Sequence, residues 1–335
     1  MKGAVLYGPR DVRFEEREAP KIEKPADVII RISATCVCGS DLWPYREIQQ
    51  IAQPTPMGHE YCRIVEEVGK AVKSVKPGQF VMGSFFCLRQ YLSQLQLRIP
   101  VFVRAPGVRW HRPAARAAGA ACGRHARRYS GGSVAADDPE PADVMGTGWF
   151  AADAANVKPG STVVVVGDGA VGLLGVLSAK QMGAERIIAM SRHEKRPQLA
   201  REFGATDIVN ARGDEGVARI KELTKGIGAD SVLECVGTQE SMMQAINSVR
   251  KGGSVSSVGV PHGVELDGET LFYAHVHLHG GPAPVRRYLP KLIDLVWNRT
   301  IDPGKVFDLT LPLDQVAEGY RAMDERRPIK TLLRP

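Results

Sequence analysis

Apolar and polar positions give this 335-residue chain two textures. In its first third, β-branched residues alternate with charged ones. Asp27-Val28-Ile29-Ile30-Arg31-Ile32-Ser33 predicts a strand, and Tyr61-Cys62-Arg63-Ile64-Val65-Glu66-Glu67-Val68-Gly69 predicts another. Val75-Lys76-Pro77-Gly78-Gln79-Phe80-Val81 turns into a third through its Pro-Gly pair. From Asp143 onward, unbroken apolar runs alternate with helical stretches. Residues 144–155 predict a helix, 162–166 a buried strand, and 170–182 a helix stopped by Gly183. Residues 186–190 predict the next strand, and 197–203 a helix stopped by Gly204. Residues 207–209, 231–235 and 253–258 continue the strand series, and the tail from Pro290 returns to mixed elements. Alternation of this kind makes a parallel sheet with helices on both faces. The fold class is therefore α/β, with a β-rich domain beside a doubly wound parallel sheet.

Composition narrows the function. Hydrophobic content of 44% and charged content of 24% are those of a soluble globular protein. The longest nearly uncharged run, residues 161–179, contains Asp168 and four glycines, so no membrane span is expected. Pro9, Arg10 and Asp11 follow the first apolar residues too soon for a signal peptide. Six cysteines are too few for a disulfide scaffold in a chain of this length, which points to the cytoplasm. The net charge of +7 arises in one segment: residues 87–136 hold nine arginines and no Lys, Asp or Glu. Without those nine the formal charge becomes −2, so the chain as a whole does not read as a nucleic-acid binder.

Candidate chemistry begins with Gly167-Asp168-Gly169-Ala170-Val171-Gly172, directly after the run of valines 163–166. In that context Gly167 serves a tight turn, Gly169 the approach of a pyrophosphate, and Gly172 close helix–sheet packing. The end of the second strand usually carries an acid for an NAD ribose. Here it reads Ala189-Met190-Ser191-Arg192-His193, with Arg196 close behind. A hydroxyl followed by guanidinium suits a 2′-phosphate, so NADP(H) is expected in preference to NAD(H). The alternative is a solvated Arg192, with Glu194 serving NAD.

Four further residues have metal-ligand chemistry. Cys38 lies in Cys38-Gly39-Ser40-Asp41, His59 and Glu60 in Gly58-His59-Glu60, and Asp143 before the helix into the parallel-sheet domain. Thiolate, imidazole and carboxylate are the ligand types of a catalytic zinc with an open position. The sequence order lets them converge at an interdomain cleft, where Ser40 could relay a proton. Cys36 and Cys62 read as core thiols.

These residues carry a resemblance. Over residues 1–86 and 137–335 the chain resembles the zinc-dependent alcohol dehydrogenases of the medium-chain dehydrogenase/reductase family. The resemblance implies a GroES-like catalytic domain (residues 1–145 and 285–335) and a Rossmann nucleotide domain (residues 146–284). It implies Cys38, His59 and Asp143 as ligands of one catalytic zinc, Glu60 as a transient or neighbouring ligand, and Ser40 as the hydroxyl beside substrate. Cys235-Val236-Gly237 and Val258-Gly259-Val260 resemble loops that line the nicotinamide, Ser191-Arg192 resembles the pair of NADP-dependent members, and Lys330 is counted with the cofactor residues. The implied reaction is hydride transfer between an alcohol and an aldehyde or ketone, in a homodimer or homotetramer without nucleic-acid or membrane partners. A zinc-free quinone or enoyl reductase shares the fold without needing the ligand set; a catalytically impaired nucleotide-binding homologue is the other alternative. Trp43 stands where some members have a proton-relaying histidine, and Trp43 and Trp149 are expected in the substrate wall.

Residues 87–136 depart from the family. A lobe with four cysteines for a structural zinc is expected there, yet only Cys87 and Cys122 occur, amid Arg, Ala, Gly and Pro. Those four residues have codons that can be wholly G and C, as in GC-rich DNA read out of frame. With suitable codons, a one-base slip turns the stretch from Gln90 to Gln96 into Asn-Thr-Cys-Pro-Asn-Cys. Resequencing the gene decides between a frame slip and a basic insertion. Finally, His275, His277 and His279 alternate at period two, which predicts one strand face near a sheet edge or subunit contact.

Overall fold

A computed structural model describes residues 1–82, 142–193 and 195–335, with only the backbone at Met82, Ala142 and Asp143. The segment 87–136 and Glu194 lie outside the described residues. The alternating pattern of the first third forms β1 (Lys2–Gly8), β2 (Asp11–Glu16), β3 (Val28–Cys36), a 3-10 turn Gly39–Asp41, α1 (Leu42–Tyr45), β4 (Thr55–Pro56), β5 (Glu60–Val68) and β6 (Phe80–Met82). The middle of the chain forms α2 (Ala142–Ala154), β7 (Thr162–Val166), α3 (Ala170–Gln181), β8 (Arg186–Met190), α4 (Arg196–Glu202), β9 (Asp207–Val209), α5 (Gly213–Leu223), β10 (Ala229–Glu234), α6 (Gln239–Ser248), β11 (Val249–Ser257), α7 (Gly268–Ala274), β12 (His277–Gly280) and α8 (Val285–Trp297). The tail adds β13 (Phe307–Pro312), α9 (Val316–Asp324) and β14 (Lys330–Arg334).

Residues 1–143 and 306–335 cluster as one unit, and residues 144–305 as a second. In the first unit, β13-β14-β3-β5-β6 form a sheet and β2-β1-β4 another. Leu6, Val37, Leu42, Tyr45, Tyr320 and Leu333 share a core there. In the second, the six strands run β12-β11-β10-β7-β8-β9, with every neighbouring pair parallel. That is the Rossmann order 3-2-1-4-5-6, and the strand order reverses beside β7, where the glycine turn emerges. The reason is local: Val163, Val164, Val165 and Val166 are all buried, so β7 needs helices on both faces. Each such side chain contributes about 1.5–3 kcal/mol.

Three details differ from the sequence reading. Residues 285–305 belong with the nucleotide unit, because Val285 packs on Gly146 and the Tyr288 hydroxyl donates to Asp153 Oδ2 at 2.6 Å. Pro290 lies inside α8 without ending it. His275 is not in a strand: it closes α7 in the left-handed region at φ 52°, leaving His277 and His279 on the exposed edge strand β12. Among the described residues, no helix is long and apolar enough to cross a membrane.

Candidate metal and nucleotide sites

Strand register builds the first site. β3 and β5 pair antiparallel with Cys36 opposite Glu60. This brings the residues just past the end of β3 next to those just before the start of β5. Gly58 takes φ +94°, a turn that glycine makes without strain, and delivers His59 to the same end. Donor atoms of Cys38, His59 and Glu60 then lie within 4.8 Å of one another. The side chain of Asp143, the remaining expected ligand, lies outside the described residues.

The surroundings fix these groups. Asp41 is fully buried; its Oδ2 accepts the Cys38 amide at 3.2 Å and its Oδ1 meets His59 Nδ1 at 3.1 Å. A carboxylate only accepts, so Nδ1 carries a proton, and in the neutral ring the Nε2 lone pair is the one left for a metal. Ser40 Oγ donates to Cys38 Sγ at 3.3 Å. Behind the cluster, Lys330 Nζ donates to Glu60 Oε1 at 2.9 Å and to the Val37 carbonyl at 3.2 Å. The Cys36 thiol donates to Glu60 Oε2 at 3.3 Å.

Electrostatics follow from burial and these partners. Burial works against protonation of His59, but Asp41 and Cys38 outweigh it and hold the imidazole well above its ordinary value. Burial likewise opposes ionisation of Glu60, yet the Lys330 ammonium and His59 keep its carboxyl below the usual range. Burial, reinforced by Glu60, pushes the Cys36 thiol up, so it stays protonated as a donor. The donor set fits zinc: a sulfur, an imidazole nitrogen and a carboxylate oxygen converge, and the histidine already has its carboxylate orienter.

The second site lies at the switch point of the parallel sheet. Gly167 adopts φ +113°. A Cβ on Gly172 would stand 1.9 Å from the Gly167 carbonyl, whereas one on Gly169 would meet nothing within 4 Å. The turn is thus closed on its helix side and open at Gly169, the N-cap of α3, with Ala170 and Val171 starting the helix. This cradle fits a pyrophosphate, which takes the unpaired N–H groups of the helix start. The other loops are locked together: a Cβ on Gly237 would meet the Val260 carbonyl at 2.2 Å, and one on Gly259 the Gly237 nitrogen at 2.3 Å. Glu234 Oε1 holds the Val236 and Gly237 amides at 2.8 Å each. Val236 and Val260 remain exposed as an apolar surface, while Cys235 and Val258 are half-buried.

Comparison with known proteins decides the family. A model described as "Alcohol dehydrogenase GroES-like domain" matches residues 24–104, and one described as "Zinc-binding dehydrogenase" matches residues 170–298. A Mycobacterium tuberculosis protein carrying the name "Probable zinc-binding alcohol dehydrogenase" is 33% identical, over 100% of this chain and 89% of the relative. This chain belongs to the zinc-dependent medium-chain alcohol dehydrogenases. An NADP-dependent isopropanol dehydrogenase of Thermoanaerobacter brockii is 30% identical over 100% of this chain and 99% of its own length. The solved alcohol dehydrogenase of Thermus sp. ATN1 superposes with a TM-score of 0.81 at 26% identity, covering 100% of this chain and 99% of that one.

In this alcohol dehydrogenase the sequence-expected Cys38, Ser40, His59 and Glu60 are brought together. Lys330 sits behind them and bonds Glu60, because β14 pairs beside β3 and turns its side chain inward. Arg196 is buried against Asp168 (Nη1 to Oδ1, 3.2 Å), and Arg192 is exposed. Trp149 is buried in the nucleotide unit with the Lys291 ammonium 4.7 Å from its ring centroid. Sequence reasoning missed Asp41 and Asp168 as working carboxylates. Asp41 had a signal, an acid three residues after Cys38 that folds back on its amide; Asp168 had none.

Proposed function

We propose that this enzyme is an NADP(H)-preferring alcohol dehydrogenase with one catalytic zinc, interconverting small alcohols with aldehydes or ketones. The convergence of Cys38, His59 and Glu60 beside Ser40 carries this reading. Cys38, His59 and Asp143 would hold the ion, with Glu60 able to exchange in. When bound, zinc polarises the substrate oxygen and the nicotinamide exchanges the hydride. The protein's own groups do the rest. Asp41 keeps His59 in the ligating tautomer. The Ser40 hydroxyl, both donor and acceptor, moves the alcohol proton towards solvent or the cofactor ribose. Val236 and Val260 offer a flat apolar surface to one face of the nicotinamide and keep water from it.

For the cofactor, the exposed Arg192 guanidinium is the group that would meet a 2′-phosphate. The name of the 30% identical Thermoanaerobacter brockii relative supports that choice. We also place the protein in the cytoplasm, where thiols such as Cys36 and Cys62 stay reduced, and infer a homodimer or homotetramer. The exposed edge strand β12, near Phe272 and Tyr273 at 78% and 65% exposure, supports the assembly. Metal analysis with an NADPH-oxidation assay on simple aldehydes and ketones tests the proposal. One zinc per subunit and NADPH-dependent turnover are expected; a purified protein that binds no zinc would sink it.

A further inference from the structure

Asp168, the second residue of the glycine fingerprint, reaches across to the end of the second strand. Its Oδ2 accepts from Ser191 Oγ at 2.7 Å and from His193 Nδ1 at 2.7 Å, and its Oδ1 from Arg196 Nη1 at 3.2 Å. The Asp168 side chain is 9% exposed. Burial opposes its ionisation, but the bonds from His193 and Ser191 outweigh it and hold the carboxyl below its usual range. It is therefore an anion, and all three partners donate to it.

In a dinucleotide site the end of the second strand faces the ribose 2′ substituent, and an acid there accepts the 2′-hydroxyl. This chain places Ser191 at that point. The acid of the corner arrives instead from the glycine turn, 23 positions earlier in the sequence, and lies within hydrogen-bond distance of Ser191. We propose that Asp168 is a specificity-determining residue: a fixed negative charge that engages Ser191, His193 and Arg196 and lowers the preference for a 2′-phosphate over a 2′-hydroxyl.

A 2′-phosphate needs donors and positive charge. Ser191 already gives its only proton to Asp168, and the Arg196 charge is compensated by the same carboxylate. A phosphate in this corner would also stand near an anion of like sign in a partly dry site. A 2′-hydroxyl has no such conflict, because it is neutral and can itself donate. Arg192 supplies attraction and Asp168 limits it, so the pair sets how far the enzyme discriminates between NADPH and NADH. This deepens the NADP(H) reading and rests on it through Arg192.

The test uses the zinc-loaded enzyme and two probes, 2′,5′-ADP and 5′-AMP, titrated by calorimetry against wild type, Asp168→Asn, Asp168→Ser and Arg192→Ala. Removing one charge beside a dianion should tighten 2′,5′-ADP relative to 5′-AMP by about fivefold at low ionic strength, and by less at high salt. The KM ratio of NADH to NADPH should rise in parallel. An unchanged ratio of the two affinities, or one moving towards 5′-AMP, overturns the proposal. Asp168→Ser reads the same quantity if the asparagine variant loses its native circular dichroism. Arg192→Ala judges the underlying reading separately. If it leaves 2′,5′-ADP binding intact, the NADP(H) assignment through Arg192 fails, while the Asp168 result still stands or falls on its own ratio.

Discussion

The Lys330 ammonium and the Glu60 carboxylate meet at 2.9 Å inside the protein, with 3% and 4% of their side chains exposed. Neither charge has bulk water to fall back on, so each depends on the other. Lys330→Met should therefore destabilise the fold by about 3–5 kcal/mol in urea unfolding, because it leaves a buried anion uncompensated. Adding Glu60→Gln to it should recover part of the loss; a double variant no more stable than the single would refute the coupling. Glu60 has its folded pKa depressed, so its contribution is present above about pH 4.3, the unfolded carboxyl value, and fades as pH falls through the folded one.

Asp41→Asn tests the orienting carboxylate. An amide can offer its NH₂ to the ring, which favours the tautomer with the proton on Nε2, where the metal must bind. Zinc affinity should drop by about 10–100-fold in a chelator competition, with the fold retained. Unchanged affinity would mean that Asp41 serves the turn alone.

The metal-free protein should respond to pH with a definite sign. His59 has a folded pKa raised by Asp41 and Cys38 against burial. The stability from this pair is complete below the unfolded value of about 6.5 and is lost as pH rises through the folded value. Chelator-treated enzyme should lose Tm as pH rises above about 6.5, while zinc-loaded enzyme, whose imidazole is already neutral, should not. Zinc affinity should rise over the same range because binding releases that proton. Parallel Tm curves for the two forms would contradict this.

Cys38→Ser should remove bound zinc and turnover together, measured by metal analysis and NADPH oxidation. Serine lacks the soft thiolate that a structural neighbour cannot replace. Retained activity would count against the ligand assignment.

Arg192→Ala should raise KM for NADPH by roughly tenfold and leave KM for NADH within about twofold, the pattern of a lost phosphate contact. Equal effects on both cofactors would reverse the cofactor assignment.

Much of this was legible in the sequence, and the reason is locality. Residues 162–166 and 186–190 match β7 and β8 to the residue, since short apolar runs with four valines or two isoleucines between polar or glycine residues admit little else. Cys38 and His59 were readable because each sits in a short motif. What escaped depends on distance or on conflict between local signals. Lys330 reaches Glu60 across 270 positions, and no pattern connects them. Asp168 looked like filler between two glycines, and its role exists only where β7 and β8 lie side by side. The tail from Pro290 reads in the sequence only as mixed elements, yet α8 runs through that proline with Val285, Tyr288 and Leu292 buried. His275 matched a strand period but takes a left-handed conformation that closes the preceding helix.

The ladder between β3 and β5 is irregular at two places, between Ile29 and Ile30 and between Ile32 and Ala34, and regular from Ala34 to Cys36. Slack is thus stored away from the Cys38, His59 and Glu60 cluster. Loss of a single codon near Val28 has kinks nearby that can absorb it, whereas loss of Thr35 would swing Cys36 to the opposite face and carry Cys38 out of reach of His59. Drift in length along this ribbon should accordingly be confined to its distal half.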